Sequence, residues 1–442
     1  MNPMLLRNFT LLDETGMRGG SVIIEDGCIR ELWNGCPEGA SFPCTIDGGS
    51  LIPGRVLTLM PALVDLHAHF RDPGGQTAEA LPAETVESAA LAAAAGGYGT
   101  VVCMANTKPP IDTLAAAADL KARSDALGLI DLYPALSLTR GMAGRELSEI
   151  ARIETPLDFP RLLSEDGKDV LDDGLFLAAL REARRLKLPV SCHCDAGGGQ
   201  AEAAKQAGEA RRVWSRVEEN AATRRALELG RKAGAWIHIA HVSTQEAAAL
   251  IRSAKKAGGL VSAEAAPHHI ALTEDAAQEL GEASYGRVNP PLRTGEDRRA
   301  VVQALMDGTL DAVATDHAPH TQKDKAAGAP GFSGLETSFA VCLTALVKTG
   351  GLSLPRLSAL MSAAPARILG LTDRGRIAPG YRGDLCVADT EAVWTVQAAA
   401  FRSRGKNTPY QNREVSGRIL MTIHRGRIVY ETENRQNRNA HV

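Results

Sequence analysis

The chain is predicted to be an α/β protein: a (β/α)₈ TIM-like barrel with a small β-sandwich domain formed from both chain ends. Three observations predict this. Between residues 61 and 370, eight apolar runs alternate with helical stretches. The two ends of the chain share a different texture, of short strand-like runs broken by Gly and Pro. Side chains able to bind metal stand at the end of one apolar run after another. The expected domains are therefore residues 1–60 plus 371–442, and residues 61–370.

In chain order, Leu5–Leu12, Ser21–Glu25, Cys28–Trp33 and Leu51–Leu59 read as strands. Asp26-Gly27 between two of them is a two-residue hairpin signal, because both positions accept the positive φ such a turn needs. The texture returns at Ala378-Pro379-Gly380, Asp384–Ala388 and Ile419–Tyr430, the last with an Arg425-Gly426 turn. Neither end is long enough to bury a core alone, so the two are expected to join.

The central runs are ALVDLHAHF, YGTVVCMANT, LIDLYPALSL, FPRLLSED, LPVSCHCD, WIHIAHVS, LVSAEAAPHH and DAVATDHAPH. Most precede a helical stretch such as Leu175–Leu186, Glu209–Lys232 or Thr244–Ala257. Repeated strand–helix units imply parallel strands with right-handed crossovers. Eight units in about 300 residues suit a closed barrel better than an open doubly wound sheet. No glycine-rich phosphate-binding fingerprint occurs; Gly96-Gly97 and Gly197–Gly199 have the wrong spacing.

Composition narrows the class. With 442 residues, 44% hydrophobic, and 49 basic against 52 acidic side chains, the formal net charge is −3. That balance offers no argument for a nucleic-acid or anionic-membrane partner. No apolar run approaches the ~20 residues that span a bilayer, and the start MNPMLLRNFTLLDE lacks a signal-peptide pattern. The eight cysteines follow neither a zinc-ribbon nor a disulfide rhythm. They are expected to be reduced thiols in a cytoplasmic protein.

In barrels of this kind the chemistry sits at the C-terminal ends of the strands. The first run ends in His67 and His69, which point to one face because strand side chains alternate. Two imidazoles converging from a rigid strand suit a transition metal. Arg71, two residues on, is a fixed cation suited to gripping a carboxylate. Later runs end in Glu165 and Asp166, His193, His241, His268 and His269, and Asp316, His317 and His320. Of the eleven histidines, seven stand at such ends even with His238 and His317 left out, which random placement would scarcely produce. His238 is opposite in strand phase to His241 and is expected to be a packed core histidine.

Each candidate has a plainer reading. Strand alternation sends Cys192 and Cys194 to the face opposite His193, so packing is expected of them rather than a thiolate site. Either Glu165 or Asp166 faces the centre while the other points away or caps a helix; Asp166 is preferred. At most one of His268 and His269 faces the centre, and His268 is expected to orient a neighbour. The loop Thr321–Phe332, TQKDKAAGAPGF, is either a lid or an idle surface loop. Four histidines and two carboxylates suffice for two divalent ions sharing a carboxylate, about 3.5–4 Å apart. Zinc suits this N/O set best, with manganese or cobalt as substitutes. Hydrolysis of a carbonyl-type bond, or its reverse, is the chemistry implied.

With these residues placed, the chain resembles the class I dihydroorotases of the amidohydrolase superfamily over essentially its whole length. The motifs are DLHAHFRDPG, MANTKPP (104–110), SEDGKDV (164–170), HCD (193–195), HVST (241–244), AEAAPHH (263–269), RVNPPLR (287–293), ATDHAPH (314–320), GLET (334–337) and KNTPY (406–410). The resemblance implies His67, His69, Asp166, His193, His241 and Asp316 as metal ligands, with Asp316 also moving the proton. It implies Arg71, Asn106 and His320, together with His69, around the substrate, and Asn289 lining the pocket. Two zinc ions per chain, reversible cyclisation of N-carbamoyl-L-aspartate to L-dihydroorotate in pyrimidine biosynthesis, and a homodimer go with it. Association with aspartate transcarbamoylase is a further partner it admits. Related hydantoinases and allantoinases bridge their metals with a carboxylated lysine, but Pro160–Asp166 contains none and Lys168 lies beyond. An aspartate bridge is therefore expected. Departures from the family pattern are Ala105 for proline, Glu165 for aspartate and Asn412 for glycine. The alternatives are a hydantoinase- or allantoinase-like enzyme and a non-catalytic scaffold; the scaffold is disfavoured because no ligand is missing.

Overall fold

The computed structural model describes residues 3–35, 42–74, 82–154, 158–195, 215–281 and 285–432. Cys36 and Gly197–Gly199 lie outside these residues, as does the first part of the expected helix Glu209–Lys232.

The N-terminal strands are β1 (Met4–Asp13), β2 (Gly16–Glu25), β3 (Cys28–Trp33), β4 (Cys44–Asp47) and β5 (Thr58–Pro61). Asp26 and Gly27 have φ of 49° and 80°, so the β2–β3 turn takes the left-handed form its residues foretold. The expected strand Leu51–Leu59 is corrected: Leu51 ends a short helix, and only Thr58–Pro61 is extended. Pro53 and Gly54 interrupt the run, Gly54 with φ of 77°. β4 was not foreseen; it pairs in parallel with β1, a contact that no local pattern announces.

Eight parallel strands follow: β6 (Leu63–Ala68), β7 (Tyr98–Cys103), β8 (Asp131–Pro134), β9 (Leu163–Ser164), β10 (Val190–Cys192), β11 (Ile237–Ile239), β12 (Val261–Ala265) and β13 (Ala312–Val313). All eight apolar runs therefore hold a strand. β6, β7 and β8 form one sheet, and β9 through β13 another, each in chain order. A bridge between Leu136 and Leu163 joins the two, and one between Ala68 and His317 joins the last run to the first. Asp65 reinforces that second junction by accepting the Thr315 backbone N–H at 2.9 Å. Helices lie between the strands: Asp173–Leu186 starts at the Asp172 cap, Arg216–Ala233 at a Ser215–Glu218 capping box, and Gln245–Lys256 at the Thr244 cap. The arrangement is mixed α/β of the TIM-barrel type. Among the described residues no helix is long and apolar enough to cross a membrane.

The chain closes with β14 (Leu385–Thr395), β15 (Glu414–His424) and β16 (Arg427–Glu431). The strands from the two ends do join, in one sheet ordered β16-β15-β14-β5-β1-β2-β3 with β4 alongside β1. Leu6, Phe9, Val22, Leu59, Val387 and Ile423 share one buried cluster, so both ends contribute to a core that neither could bury alone. Asp131 at the start of β8 fastens this sheet to the parallel strands. Its carboxylate accepts from Arg374 at 2.8 Å, Arg382 at 2.9 Å and Arg425 at 2.6 Å. A buried carboxylate is tolerable because several guanidiniums converge on it.

Candidate metal centre and active site

The site is built at the C-terminal ends of the parallel strands. β6 sends His67 and His69 inward together, 0% and 6% exposed. Two compact groups of ligand atoms result: His67, His69 and Asp166, and Asp166, His193 and His241. Asp166 belongs to both. Its Oδ1 lies 3.1 Å from His67 Nε2 and 3.1 Å from His193 Nδ1, and its Oδ2 lies 3.6 Å from His69 Nε2. Asp316 Oδ1 stands 3.2 Å from His69 Nε2 and 3.7 Å from His67 Nε2. The six residues expected to bind metal are thus brought together.

Their donor atoms fit divalent ions. His67 Nε2 and Asp166 Oδ1 are buried without a hydrogen-bond partner among the described residues, though they face each other. Leaving such atoms unpaired is costly, and a cation between them removes the cost. His193 Nδ1 and His241 Nε2 face each other at 2.9 Å, two ring nitrogens directed at one place. Below His67, Glu264 Oε1 lies 3.1 Å from Nδ1, the carboxylate–histidine arrangement that leaves Nε2 as the free lone pair. Burial opposes ionisation of Asp166, but His193 and His67 outweigh it and hold its carboxyl well below the usual range. Backbone geometry adds to the case: Arg71, His241 and Asp316 have φ of 55°, 32° and 46°. Left-handed non-glycine residues cost about 1–3 kcal/mol each and cluster where function demands a direction.

The choice between Glu165 and Asp166 follows from neighbours distant in sequence. Glu165 turns away, accepting the backbone N–H groups of Leu138 at 2.9 Å and Thr139 at 3.0 Å, and the Thr139 hydroxyl. Asp166 is left to the centre. Gly167, with φ of 81°, turns the chain immediately afterwards, and Lys168 is exposed. Cys192 and Cys194 are buried, and burial pushes both thiols upward, as packed cysteines require. His238 is buried between Ser262 and Glu264, at 2.9 and 3.0 Å. His268 and His269 lie on a short helix, Pro267–Ala271, rather than on the strand. His269 donates to the Pro290 carbonyl at 2.9 Å, while His268 Nε2 approaches Asp316 Oδ2 to 4.0 Å. Of that pair, His268 is the one facing the site.

Beside the ligands lies a cavity of about 510 Å³ lined by Arg71, Asn106, Lys108, His320 and Asp324, among others. Arg71 lies 3.4 Å from His320 Nε2, and that imidazole donates to the Pro330 carbonyl at 2.8 Å. Burial and the Arg71 cation hold His320 down at about 3, so it is neutral at pH 7. Asn106 lines the cavity, but its Oδ1 is taken by His69 Nδ1 at 2.9 Å and its amide donates to Asp166 Oδ2 at 2.9 Å. Through these two bonds it orients two of the ligands. Asn289, partly buried, is not among the residues lining this cavity. The loop 321–332 forms the helix Gln322–Ala326 behind a Thr321–Asp324 capping box and walls the cavity.

Residues that the sequence reading passed over support the site. Glu264 is the main one, and a charged residue within an apolar strand was the available signal. Glu84 is another: fully buried, it lies 3.4 Å from His317 Nε2 and accepts the Arg404 N–H at 3.1 Å. His317 Nδ1 in turn accepts the Gly334 N–H at 3.1 Å, so the residue after Asp316 is held from both sides.

Residues 58–429 match the amidohydrolase family. The dihydroorotase of Clostridium botulinum (strain Eklund 17B / Type B) is 35% identical over 428 residues, 97% of this chain and 99% of that protein. The dihydroorotase of Anaeromyxobacter dehalogenans (strain 2CP-1) is 39% identical over 424 residues, 93% of this chain and 94% of that protein. Among solved structures, the L-hydantoinase (dihydropyrimidinase) from Arthrobacter aurescens superposes with a TM-score of 0.81 at 25% identity, covering 98% of this chain and 96% of that one. A dihydropyrimidinase from Brevibacillus agri gives the same TM-score at 22% identity, covering 97% and 95%, and so shares the fold. The chain belongs to the amidohydrolase family of cyclic-amide hydrolases, and within it to the dihydroorotases.

Proposed function

We propose that the protein interconverts L-dihydroorotate and N-carbamoyl-L-aspartate, as a step of pyrimidine biosynthesis. The observation that carries this is the pair of His/Asp groups sharing Asp166, set beside a cavity that presents Arg71 and His320. We read His67, His69, Asp166, His193, His241 and Asp316 as ligands of two zinc ions, with Asp166 as the shared carboxylate. Divalent ions held there would supply Lewis acidity toward a carbonyl oxygen and water that ionises near neutral pH.

The chain's own groups account for the rest. Arg71 binds the substrate carboxylate and His320 stands beside it, which places the ring amide over the ligand cluster. Asn106 keeps His69 and Asp166 turned inward. Asp316, whose Oδ1 meets His69 and whose Oδ2 lies 4.0 Å from His268, takes the proton from the attacking water. It passes that proton to the ring nitrogen as the carbon–nitrogen bond breaks, and cyclisation runs the same transfers backwards. On the same reading the eight parallel strands form a closed (β/α)₈ barrel over residues 61–370. Residues 1–60 and 371–442 then make up a β-sandwich domain.

A hydantoinase-like enzyme is the competing reading, since the solved relatives named above are of that kind. Arg71 separates the two. An uncharged cyclic ureide needs no guanidinium, whereas dihydroorotate carries a carboxylate beside its ring. Losing a charged hydrogen bond to a bound anion costs roughly 1.5–3 kcal/mol, about a 10- to 150-fold effect. Arg71→Met is therefore expected to lower kcat/KM for dihydroorotate by that factor and to leave dihydrouracil nearly unchanged. Equal losses on both substrates, or a wild type preferring dihydrouracil, would overturn the assignment in favour of a hydantoinase.

A further inference from the structure

The loop beside the cavity contains a charged side chain that the reaction does not use. Lys325 is 0% exposed, although its neighbours on the helix, Lys323 and Asp324, are exposed. Its ammonium donates to the carbonyls of Arg287 at 3.1 Å, Ala329 at 2.9 Å and Gly331 at 3.0 Å. It also lies 5.3 Å from the centre of the Phe332 ring. A buried ammonium is expensive unless each N–H is satisfied, and here three donors meet three carbonyls. Those carbonyls come from two separate segments. One, at residue 287, is two residues from Asn289; the other is the return of the loop itself.

The same carbonyls reach the substrate cavity. The Gly331 carbonyl that accepts from Lys325 also accepts from Asn407 Nδ2 at 2.9 Å. Asn407 Oδ1 accepts the His320 backbone N–H at 3.0 Å. Pro330, between Ala329 and Gly331, supplies the carbonyl that holds the His320 imidazole. Fixing residues 329 and 331 on either side therefore fixes the acceptor at 330.

We propose that Lys325 is a positioning residue for the carboxylate pocket: by gathering the carbonyls of Arg287, Ala329 and Gly331 it holds Pro330 where its carbonyl orients His320 beside Arg71. The inference rests on reading the Arg71–His320 cavity as the substrate carboxylate site. Its consequence is specific. Lys325 touches neither the ligand cluster nor Asp316, so its loss should weaken binding of a carboxylated substrate and spare the chemical step.

Two measurements test this. In the wild-type protein, hydrogen exchange at the Ala329 and Gly331 amides, which donate to Asp324 and Arg287, should be slow, as in regular secondary structure. Exchange at the rate of an open loop would overturn the inference without any variant being made. In Lys325→Met those amides should exchange at least tenfold faster, and KM for dihydroorotate should rise at least about tenfold. Turnover at saturation and kcat/KM for dihydrouracil should stay within about threefold of wild type. A variant with unchanged KM, or one losing kcat on both substrates alike, refutes the positioning role. A variant that does not fold leaves the decision to the wild-type exchange rates. A wild type without activity on dihydroorotate would defeat the functional reading instead, and the exchange rates would still decide whether Lys325 pins the loop.

Discussion

Asp316→Asn should reduce turnover of dihydroorotate by about 10²–10⁴-fold, the usual contribution of a positioned acid–base group. The amide keeps the shape of the side chain and can still meet His69, which lies 3.2 Å from Oδ1. It cannot take a proton from water and return it to nitrogen. Burial opposes ionisation of the native carboxyl, yet the His69 hydrogen bond and the imidazoles of His67 and His241 hold it well below the ordinary carboxylate range. That direction favours the ionised form, the one that accepts a proton. The left-handed backbone at Asp316, φ of 46°, aims the carboxylate at the centre, and the Glu84–His317 contact next to it resists rotation. Because the substitution also removes a charged ligand, metal content must be measured on the same preparation. KM should change less than kcat. Near-normal turnover with metals intact would exclude the assigned role.

Asp166→Ala should have the other large effect, and on two readouts at once. Asp166 is common to both ligand groups, so its removal takes an oxygen from each. It also takes from His67 Nε2 and His193 Nδ1 the carboxylate oxygen that lies 3.1 Å from each. Elemental analysis should find wild-type protein carrying two equivalents of divalent metal and the variant well under one. Activity should fall by several orders of magnitude and should not return on adding zinc. Lys168→Ala is the matched control for the bridge, because Lys168 is exposed in the turn beyond the cluster. It should retain most activity. An inactive Lys168 variant rescued by small carboxylic acids would mean that a modified lysine, not Asp166, links the two groups.

Much of this architecture was legible in the chain because it depends on local pattern. An apolar run that ends in polar residues announces a strand and its functional end together, and all eight such runs hold strands. The Asp26-Gly27 turn, and Arg425-Gly426 with φ of 50° and 71°, were legible because positive φ is a demand on single residues. Side-chain alternation sufficed to put His67 and His69 on one face, whereas Cys194, with φ of 60°, lies beyond the end of β10 where alternation no longer applies.

What the sequence determined by itself was therefore the eight parallel strands, their alternation with helices, the joining of the two ends and the residues from which the ligand set is drawn. Only the tertiary structure decided how close neighbours divide their roles. Glu165 and Asp166 are adjacent and chemically alike, and the amides of Leu138 and Thr139, 27 and 26 residues away, claim one and leave the other. Asn106 became a holder of His69 and Asp166 because the C-terminal ends of β6, β7 and β9 bring all three together. Strand β4, the carboxylate of Glu264 under His67 and the buried ammonium of Lys325 were hidden for the same reason. Local pattern reports how each residue relates to its own backbone period. Which buried polar group finds which partner is settled by hydrogen bonds between segments that meet only after the chain has folded.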